Sequence, residues 1–207
     1  MKAIHDCALY GILDGDYSHR EQAGEIVKKM IAGGIDILQL RAKNWSIEEI
    51  TQTAREVHPL TQQAGVPLII NDYPEVASQV GAEGVHVGQD DLSVKEVREL
   101  LGENILVGLS SHSLQQANEA AKQEVDYIGF GPLFSTATKP DYAPIGTTDI
   151  AQIHQDQPTL PIFCIGGIKK DNAPSVLAAG AQRLVVVSGI LQADDIEAYT
   201  RQLKSLL

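Results

Sequence analysis

The sequence has few cysteines: only Cys7 and Cys164 in 207 residues. They lie far apart, neither belongs to a C-x-x-C pair, and neither has a histidine at ligand spacing. This excludes a disulfide framework and a structural zinc site of the common types. Cys164 stands in an apolar run, where a thiol is typically a small core residue.

Positive charge and long apolar runs are also scarce. Lysine and arginine number 16 against 27 acidic residues, which gives a net charge of −11 and predicts no nucleic-acid partner. No stretch approaches the roughly 18 apolar residues of a membrane span, and residues 1–16 lack a signal-peptide cleavage pattern. We therefore expect a cytoplasmic protein with no membrane partner; the sequence leaves the oligomeric state open.

Segments rich in valine, isoleucine and leucine recur along the chain. Several of them, such as 162–165 and 184–187, lack polar and apolar alternation, which is typical of parallel strands covered on both faces. The pattern predicts strands at 8–13, 36–40, 66–70, 84–87, 105–109, 126–130, 161–165 and 183–187.

Amphipathic segments separate these strands and predict helices, for example over 20–32 and 47–64, where Ile50, Ala54, Val57 and Leu60 share one face. Ser46, Ser93 and Asp171 are placed to cap helix N-termini. Glycines at the ends of three helices predict left-handed turns into the next strand: Gly34, Gly81 and Gly180.

Eight βα units in 207 residues average about 26 residues each, which favours a compact (β/α)₈ barrel, a TIM barrel, as a single domain over 1–207. A doubly wound open sheet shares the same alternation and is the competing architecture. It is disfavoured because no glycine-rich phosphate loop follows the first strand.

Polar residues at the carboxyl ends of barrel strands are the candidates for chemistry. After strand 2, alternation directs Gln39, Arg41 and Lys43 to one side, which suits a phosphorylated ligand, although solvated surface charges are an alternative. Asp72, and Asp90 or Asp91, follow strands 3 and 4 and could share Mg²⁺. Helix capping is the other reading of the acids at 90 and 91.

Three further strand ends carry candidate groups. Ser110 and His112 follow strand 5, but no G-x-S-x-G elbow is present, so ligand binding or capping is favoured over a serine nucleophile, with His112 a possible proton shuttle. The long connection after strand 6 holds Lys139 and predicts a functional loop. The glycine turns at 166–167 and 188–189 offer backbone N–H groups to a phosphate.

These motifs together resemble the thiamine phosphate synthase family, and the resemblance runs in order from Leu9 to Ile190. It is carried by Gln39, Arg41 and Lys43; Asn71 and Asp72; Gly84 to Asp91; Gly108 to His112; Asp126 to Lys139; Gly166 to Ile168; and Val187 and Ser188.

The resemblance implies an enzyme, a transferase of thiamine biosynthesis. It joins 4-amino-2-methyl-5-hydroxymethylpyrimidine diphosphate to 4-methyl-5-(2-phosphoethyl)thiazole, or its carboxylated form, and releases pyrophosphate and thiamine monophosphate. By resemblance, the pyrimidine diphosphate is held by Gln39, Arg41, Lys43, Asn71, Ser110 and Lys139, among which Arg41, Lys43, Lys139 and Ser110 are catalytic. Asp72 and Asp91 bind Mg²⁺, and the thiazole phosphate contacts Thr136, Ala137, Thr138, Gly167, Val187 and Ser188.

Two positions depart from the commonest family pattern: Tyr73 stands where many members have arginine, and Gly189 where alanine is more frequent. Glycine at the latter position also resembles the related thiazole tautomerases, in which a histidine at the position of His112 is thought to act. A tautomerase, and a non-catalytic barrel that binds phosphate and regulates partners, are therefore the alternatives.

Overall fold

A computed structural model describes residues 1–136 and 142–207 of the chain. Parallel strands form a closed barrel in which each strand pairs with the next along the chain and the last pairs with the first. The barrel confirms the predicted fold and excludes the open sheet. Its eight strands are Leu9–Asp14 (β1), Ile37–Arg41 (β2), Leu68–Asn71 (β3), Gly84–Val87 (β4), Leu106–Ser111 (β5), Tyr127–Phe130 (β6), Ile162–Cys164 (β7) and Leu184–Val186 (β8).

Helices cover the outside of the barrel, one after each of the first seven strands and two after β8 among the described residues. They are Ala23–Gly33 (α1), Ile47–Ala64 (α2), Pro74–Val80 (α3), Val94–Leu101 (α4), Leu114–Ala120 (α5), Ile150–Asp156 (α6), Ala173–Ala178 (α7), Ser188–Leu191 (α8) and Ile196–Lys204 (α9). In the described part of the chain, no helix combines the length and apolarity that crossing a bilayer requires.

Several strand boundaries differ from the prediction by one or two residues, and two differences matter for the site. β1 ends at Asp14, one residue beyond the predicted end, because its ladder with β2 continues to the pair Asp14 and Arg41. β5 runs to Ser111, so the prediction that Ser110 follows the strand is wrong and Ser110 belongs to the strand. The last residues of both strands therefore include polar side chains, Asp14 in β1 and Ser110 in β5.

Two of the predicted helix caps are confirmed. Ser46 and Ser93 each form a capping box with the glutamate three residues later. The predicted cap at Asp171 is wrong, since α7 begins at Ala173 and Asn172 occupies the cap position. The alternative in which Ser110 or His112 caps the next helix is also wrong, because Ser113 accepts the hydrogen bond from the Gln116 N–H.

The predicted left-handed glycines are confirmed: φ is +95° at Gly34, +69° at Gly81 and +105° at Gly180. In α2, the predicted apolar face is also confirmed, with Ile50, Ala54 and Val57 buried and Leu60 half-buried against the core. These features turn each helix back onto the barrel and leave the carboxyl ends of the strands together at one rim.

The core has two layers. The larger one lies between the strands and the surrounding helices and contains apolar side chains from both. The smaller one fills the barrel interior, where Tyr10, Tyr127 and Phe163 pack edge to face with ring centroids 5.4–5.9 Å apart. This aromatic layer forms the bottom of the space that opens at the rim.

Candidate active site

One cleft opens at the carboxyl ends of the strands, above the aromatic layer. Every described residue to which the resemblance assigns a role lines it, and so does His112: Gln39, Arg41, Lys43, Asn71, Asp72, Asp91, Ser110, His112, Thr136, Gly167, Val187 and Ser188. Asp90, the alternative to Asp91, and Gly189 are not among the lining residues. The predictions for Ala137, Thr138 and Lys139 lie outside the described residues. The barrel thus gathers into one cavity residues that are up to about 150 positions apart in sequence.

Arg41 is a buried cation on the wall of this cleft. Its Nη1 lies 2.6 Å from the Asp14 Oδ2, and the Asp14 carboxylate is itself completely buried. Asp16, half exposed, approaches the same guanidinium nitrogen at 3.7 Å. Asp14 is not among the residues predicted from the sequence, although it is an acid at the end of a strand and the next strand ends in an arginine.

Asp72 and Asp91 face each other across the ends of β3 and β4. Lys43 Nζ lies 3.0 Å from Asp72 Oδ2, and the carboxylate of Asp91 accepts the Gly88 N–H at 2.7 Å. The alternative in which Asp90 or Asp91 caps α4 is therefore wrong, because Ser93 holds that position. Asp72 has φ of +63°, an uncommon conformation for a non-glycine residue and one that tends to occur at functional sites.

The electrostatics of this acidic pair favour a bound cation. Burial raises the pKa of the Asp72 carboxyl above its usual value, the Lys43 ammonium opposes the rise, and the neighbouring Asp91 adds to it. Two facing carboxylates offer oxygen ligands of the kind Mg²⁺ prefers. Among the described residues, no group of three or more histidine, cysteine or acidic side chains is placed to hold a metal by itself, so substrate oxygens would have to complete the shell.

A chain of hydrogen bonds crosses the bottom of the cleft. Gln39 Nε2 donates to the Tyr10 hydroxyl at 2.7 Å, which lies 3.0 Å from the Tyr127 hydroxyl. That hydroxyl lies 3.2 Å from His86 Nδ1, and His86 Nε2 lies 2.9 Å from Ser110 Oγ. Two predicted substrate-binding residues, Gln39 and Ser110, are therefore joined through three side chains that the sequence analysis gave no separate role.

The glycine turn after β7 forms the opposite side of the cleft. Gly166 and Gly167 have φ of +101° and +64°, and a Cβ at Gly167 would lie 2.8 Å from both the Phe134 Cβ and the Ser135 carbonyl oxygen. Glycine is therefore required here by close backbone approach as well as by φ. Ser188 begins α8 directly after Val187 and lines the same side.

His112 is held by the segment that follows β6. Its Nδ1–H donates to the Gly131 carbonyl oxygen at 2.5 Å, and its ring lies against that of Tyr142 with centroids 4.2 Å apart. These contacts indicate a side chain that supports the wall of the cleft.

Comparison with known proteins bears on the whole barrel. The family model described as thiamine monophosphate synthase matches residues 9–190. The chain is 43% identical to the thiamine-phosphate synthase of Chloroflexus aurantiacus, across 99% of this chain and 94% of that one. It is 41% identical to the thiamine-phosphate synthase of Shouchella clausii, across 94% and 93% of the two chains.

A solved structure gives the same result. The thiamine phosphate pyrophosphorylase from Pyrococcus furiosus superposes with a TM-score of 0.89 at 30% identity, covering 98% of this chain and 96% of that one. These similarities lend no support to a tautomerase or to a binding-only barrel.

Proposed function

The chain belongs to the thiamine monophosphate synthase family, and from this premise we propose how its cleft performs the reaction. The enzyme is a transferase that condenses the pyrimidine diphosphate with the thiazole phosphate to thiamine monophosphate. One observation carries the residue assignments: two cations and two facing carboxylates from neighbouring strands share one cleft with a glycine-lined turn. The predicted cytoplasmic location stays a prediction.

The diphosphate lies beside β2 and β3 in this proposal. Arg41 contributes a guanidinium whose direction is fixed by Asp14, and Lys43 contributes an ammonium at the exposed mouth of the cleft. Asn71 ends β3 on the same side and offers an amide. Lys139 is assigned to the same diphosphate from the sequence alone. Cationic donors fixed before the substrate binds stabilise charge as it develops on a leaving group.

Asp72 and Asp91 are the residues that would hold Mg²⁺. The fit rests on their mutual approach and on the raised pKa of Asp72, since a divalent cation would relieve both. Bound Mg²⁺ supplies positive charge to phosphate oxygens. Lys43 Nζ lies 3.0 Å from Asp72 Oδ2, so the ammonium is placed to contact the same diphosphate that Mg²⁺ would bind.

The thiazole phosphate lies on the opposite side of the cleft. The backbone N–H groups of the Gly166 and Gly167 turn, together with the Ser188 hydroxyl, are donors that suit a phosphate. Thr136 and Val187 line the same region, and Ala137 and Thr138 are assigned there from the sequence alone. The two substrates thereby approach each other across the barrel axis.

The proposed chemistry is dissociative. The bond between the pyrimidine methylene carbon and the diphosphate oxygen breaks, both electrons leave with pyrophosphate, and the aminopyrimidine delocalises the positive charge. The thiazole nitrogen then donates its lone pair to that carbon. No side-chain nucleophile is needed, so the chain's task is to neutralise the leaving group with Arg41 and Lys43 and to hold the two rings in line.

The experiment is an assay of the purified chain with both substrates, Mg²⁺ and detection of thiamine monophosphate. Asp72→Asn should lower kcat by about 100-fold or more, because it removes a charge from the metal pair, while asparagine still tolerates the positive φ. Asp90→Asn is the matched control, since this neighbouring carboxylate is exposed and does not line the cleft. We expect it to stay within about twofold of the parent enzyme.

Two outcomes would contradict different parts of the proposal. Full turnover in excess EDTA would remove the metal assignment and leave the condensation standing. No thiamine monophosphate from the unaltered chain with both substrates would contradict the condensation itself.

A further inference from the structure

We propose that Tyr10, Tyr127 and His86 are positioning residues that make the enzyme specific for an aminopyrimidine, by fixing which hydrogen-bonding atoms Gln39 and Ser110 present to the substrate. The inference rests on the proposed function, because it assigns the pyrimidine ring to the space between these two residues. It concerns three side chains at the bottom of the cleft whose hydroxyl and imidazole groups have no part in the reaction described above.

The geometry forms a single continuous chain. Four contacts of 2.7–3.2 Å link five side chains from β2, β1, β6, β4 and β5, in that order. Tyr10 and Tyr127 are fully buried, and Gln39 is 3% exposed. Groups buried this deeply have little water to replace a lost hydrogen bond. If the donor and acceptor are reversed at one end of this hydrogen-bonded chain, they must therefore be reversed at each following contact.

The proton count along the chain gives it a direction. An amide N–H of Gln39 donates to Tyr10. Each phenol has one proton, so we infer that Tyr10 donates to the Tyr127 oxygen and that Tyr127 donates to His86 Nδ1. In this order His86 Nδ1 accepts, and the Nε2–H donates to Ser110 Oγ. Burial raises the pKa of both phenols above the usual value, so each keeps the single proton that this order requires.

The two ends of the chain consequently present opposite hydrogen-bonding groups. The Gln39 amide nitrogen is directed to Tyr10, so its carbonyl oxygen is left to accept from the substrate. Ser110 Oγ accepts from His86, so its own proton is left to donate into the cleft. An aminopyrimidine matches this arrangement, because its exocyclic amino group is a donor and its ring nitrogens are acceptors.

The barrel makes specific room for this chain. A Cβ at Gly108 would lie 2.1 Å from the Tyr127 Cζ, and a Cβ at Gly129 would lie 3.3 Å from the His86 Cε1. Only glycine at 108 lets the Tyr127 ring cross the interior toward Tyr10. Gln89 further fixes β5, since its Nε2 donates to the Ser110 carbonyl oxygen at 2.6 Å.

The test compares the natural aminopyrimidine diphosphate with its 4-oxo analogue, in which a carbonyl oxygen replaces the amino group. Tyr127→Phe breaks the chain of hydrogen bonds, so the Tyr10 hydroxyl can donate to Gln39. The Gln39 amide can then turn its nitrogen toward the cleft and donate to the carbonyl oxygen of the analogue. We expect the ratio of the two kcat/KM values to fall by about tenfold or more. The KM for the thiazole phosphate should not change.

Tyr10→Phe is the second variant, and it should lower the same ratio because it interrupts the same chain. The Tyr10→Phe/Tyr127→Phe double variant should lose no more selectivity than the more affected single variant, since the effects of groups that act as one unit do not add. Phe163→Leu is the packing control: this ring touches both tyrosines but carries no hydroxyl, so it should lower the melting temperature and keep the selectivity.

The outcomes separate this inference from the proposed function. Selectivity that is unchanged in both tyrosine variants, or lost equally in Phe163→Leu, would overturn the positioning role while the parent enzyme still makes thiamine monophosphate. An unaltered chain without that activity would instead contradict the proposed function.

Discussion

At the scale of single residues, the ion pair with Asp14 holds the Arg41 guanidinium in place on the wall of the cleft. A guanidinium that is only 7% exposed needs a matching charge, because burial without one is strongly destabilising. Asp14 also accepts the backbone N–H of Asp16 at 2.9 Å, so the carboxylate is fixed before the substrate arrives. The role we propose for Asp14 is therefore to orient the Arg41 guanidinium.

Asp14→Asn should test this contribution. The variant keeps an oxygen beside the guanidinium but loses the charge that orients it, so kcat/KM for the pyrimidine diphosphate should fall by about tenfold or more. Asp16→Asn is the matched control, since Asp16 is half exposed and 3.7 Å from the same nitrogen; it should change kcat/KM by less than about twofold. Steady-state kinetics with the thiazole phosphate saturating would show both, and equal losses in the two variants would contradict the assignment.

The cleft residues differ in how far sequence predicts them. Gln39, Arg41 and Asp72 were predictable because polar side chains at the ends of apolar strands have few structural reasons to be there. Tyr10 and Tyr127 were not, because a tyrosine within an apolar strand is equally typical of a plain core residue. Only the closed barrel shows that strands 1 and 6 bring their hydroxyl groups to within 3.0 Å of each other.

At the scale of elements, the strands were predicted to within two residues at each end. The apolar pattern sets their existence, and the capping boxes at Ser46 and Ser93 set where α2 and α4 begin. The strand ends differed because the last residue of a strand is decided by its neighbour in the barrel: Asp14 is paired by Arg41 and Ser111 by Phe130. Such partners are distant in sequence and carry no local signal.

The turn after β7 and the start of α8 form the site proposed for the thiazole phosphate. Substituting Gly167 would test this poorly, because any Cβ there meets Phe134 and Ser135 and faces an unfavourable φ. Ser188→Ala is the better change, since it removes one hydroxyl donor and nothing else. We expect the KM for the thiazole phosphate to rise by about tenfold, the scale of one hydrogen bond to a charged group.

Initial-rate kinetics with each substrate varied in turn would provide the check for Ser188→Ala. The KM for the pyrimidine diphosphate is the internal control and should stay unchanged. A rise in that constant with no change for the thiazole phosphate would place the two substrates the other way round.

At the scale of the whole molecule, Asp36 joins the first and last described segments of the chain at the end of the barrel opposite the cleft. It is 3% exposed, accepts the backbone N–H groups of Ala8 and Leu9 at 2.8 Å, and forms ion pairs with Lys2 and with Lys204 at the end of α9. Burial by itself would raise the pKa of this carboxyl, but the two lysines and the two N–H groups outweigh it and lower the pKa.

The lowered pKa fixes the sign of a pH dependence. A carboxyl that is harder to protonate in the folded than in the unfolded state adds stability above its unfolded pKa, near 3.8, and loses it as the pH falls through its lower folded value. Asp36→Asn should therefore reduce the free energy of unfolding by about 2 kcal/mol or more at pH 7. The difference from the parent chain should shrink as the pH falls below 3.8.

Urea unfolding followed by circular dichroism across this pH range would measure the effect. Glu25→Gln is the matched control, because its ion pair with Lys28 lies on the exposed surface of α1; its unfolding midpoint should stay close to that of the parent chain. A constant difference between Asp36→Asn and the parent from pH 7 to pH 3 would contradict the role of the charge.

The contact between Gly108 and Tyr127 restricts how this barrel can diverge. With 2.1 Å between the Tyr127 Cζ and any new Cβ at position 108, a larger residue there excludes the ring, and a smaller residue at 127 leaves an unfilled interior. Neither site can be altered in a single mutational step without a loss of stability. We therefore expect the two positions to be inherited together, so that a lineage which keeps the glycine also keeps the tyrosine that makes use of it.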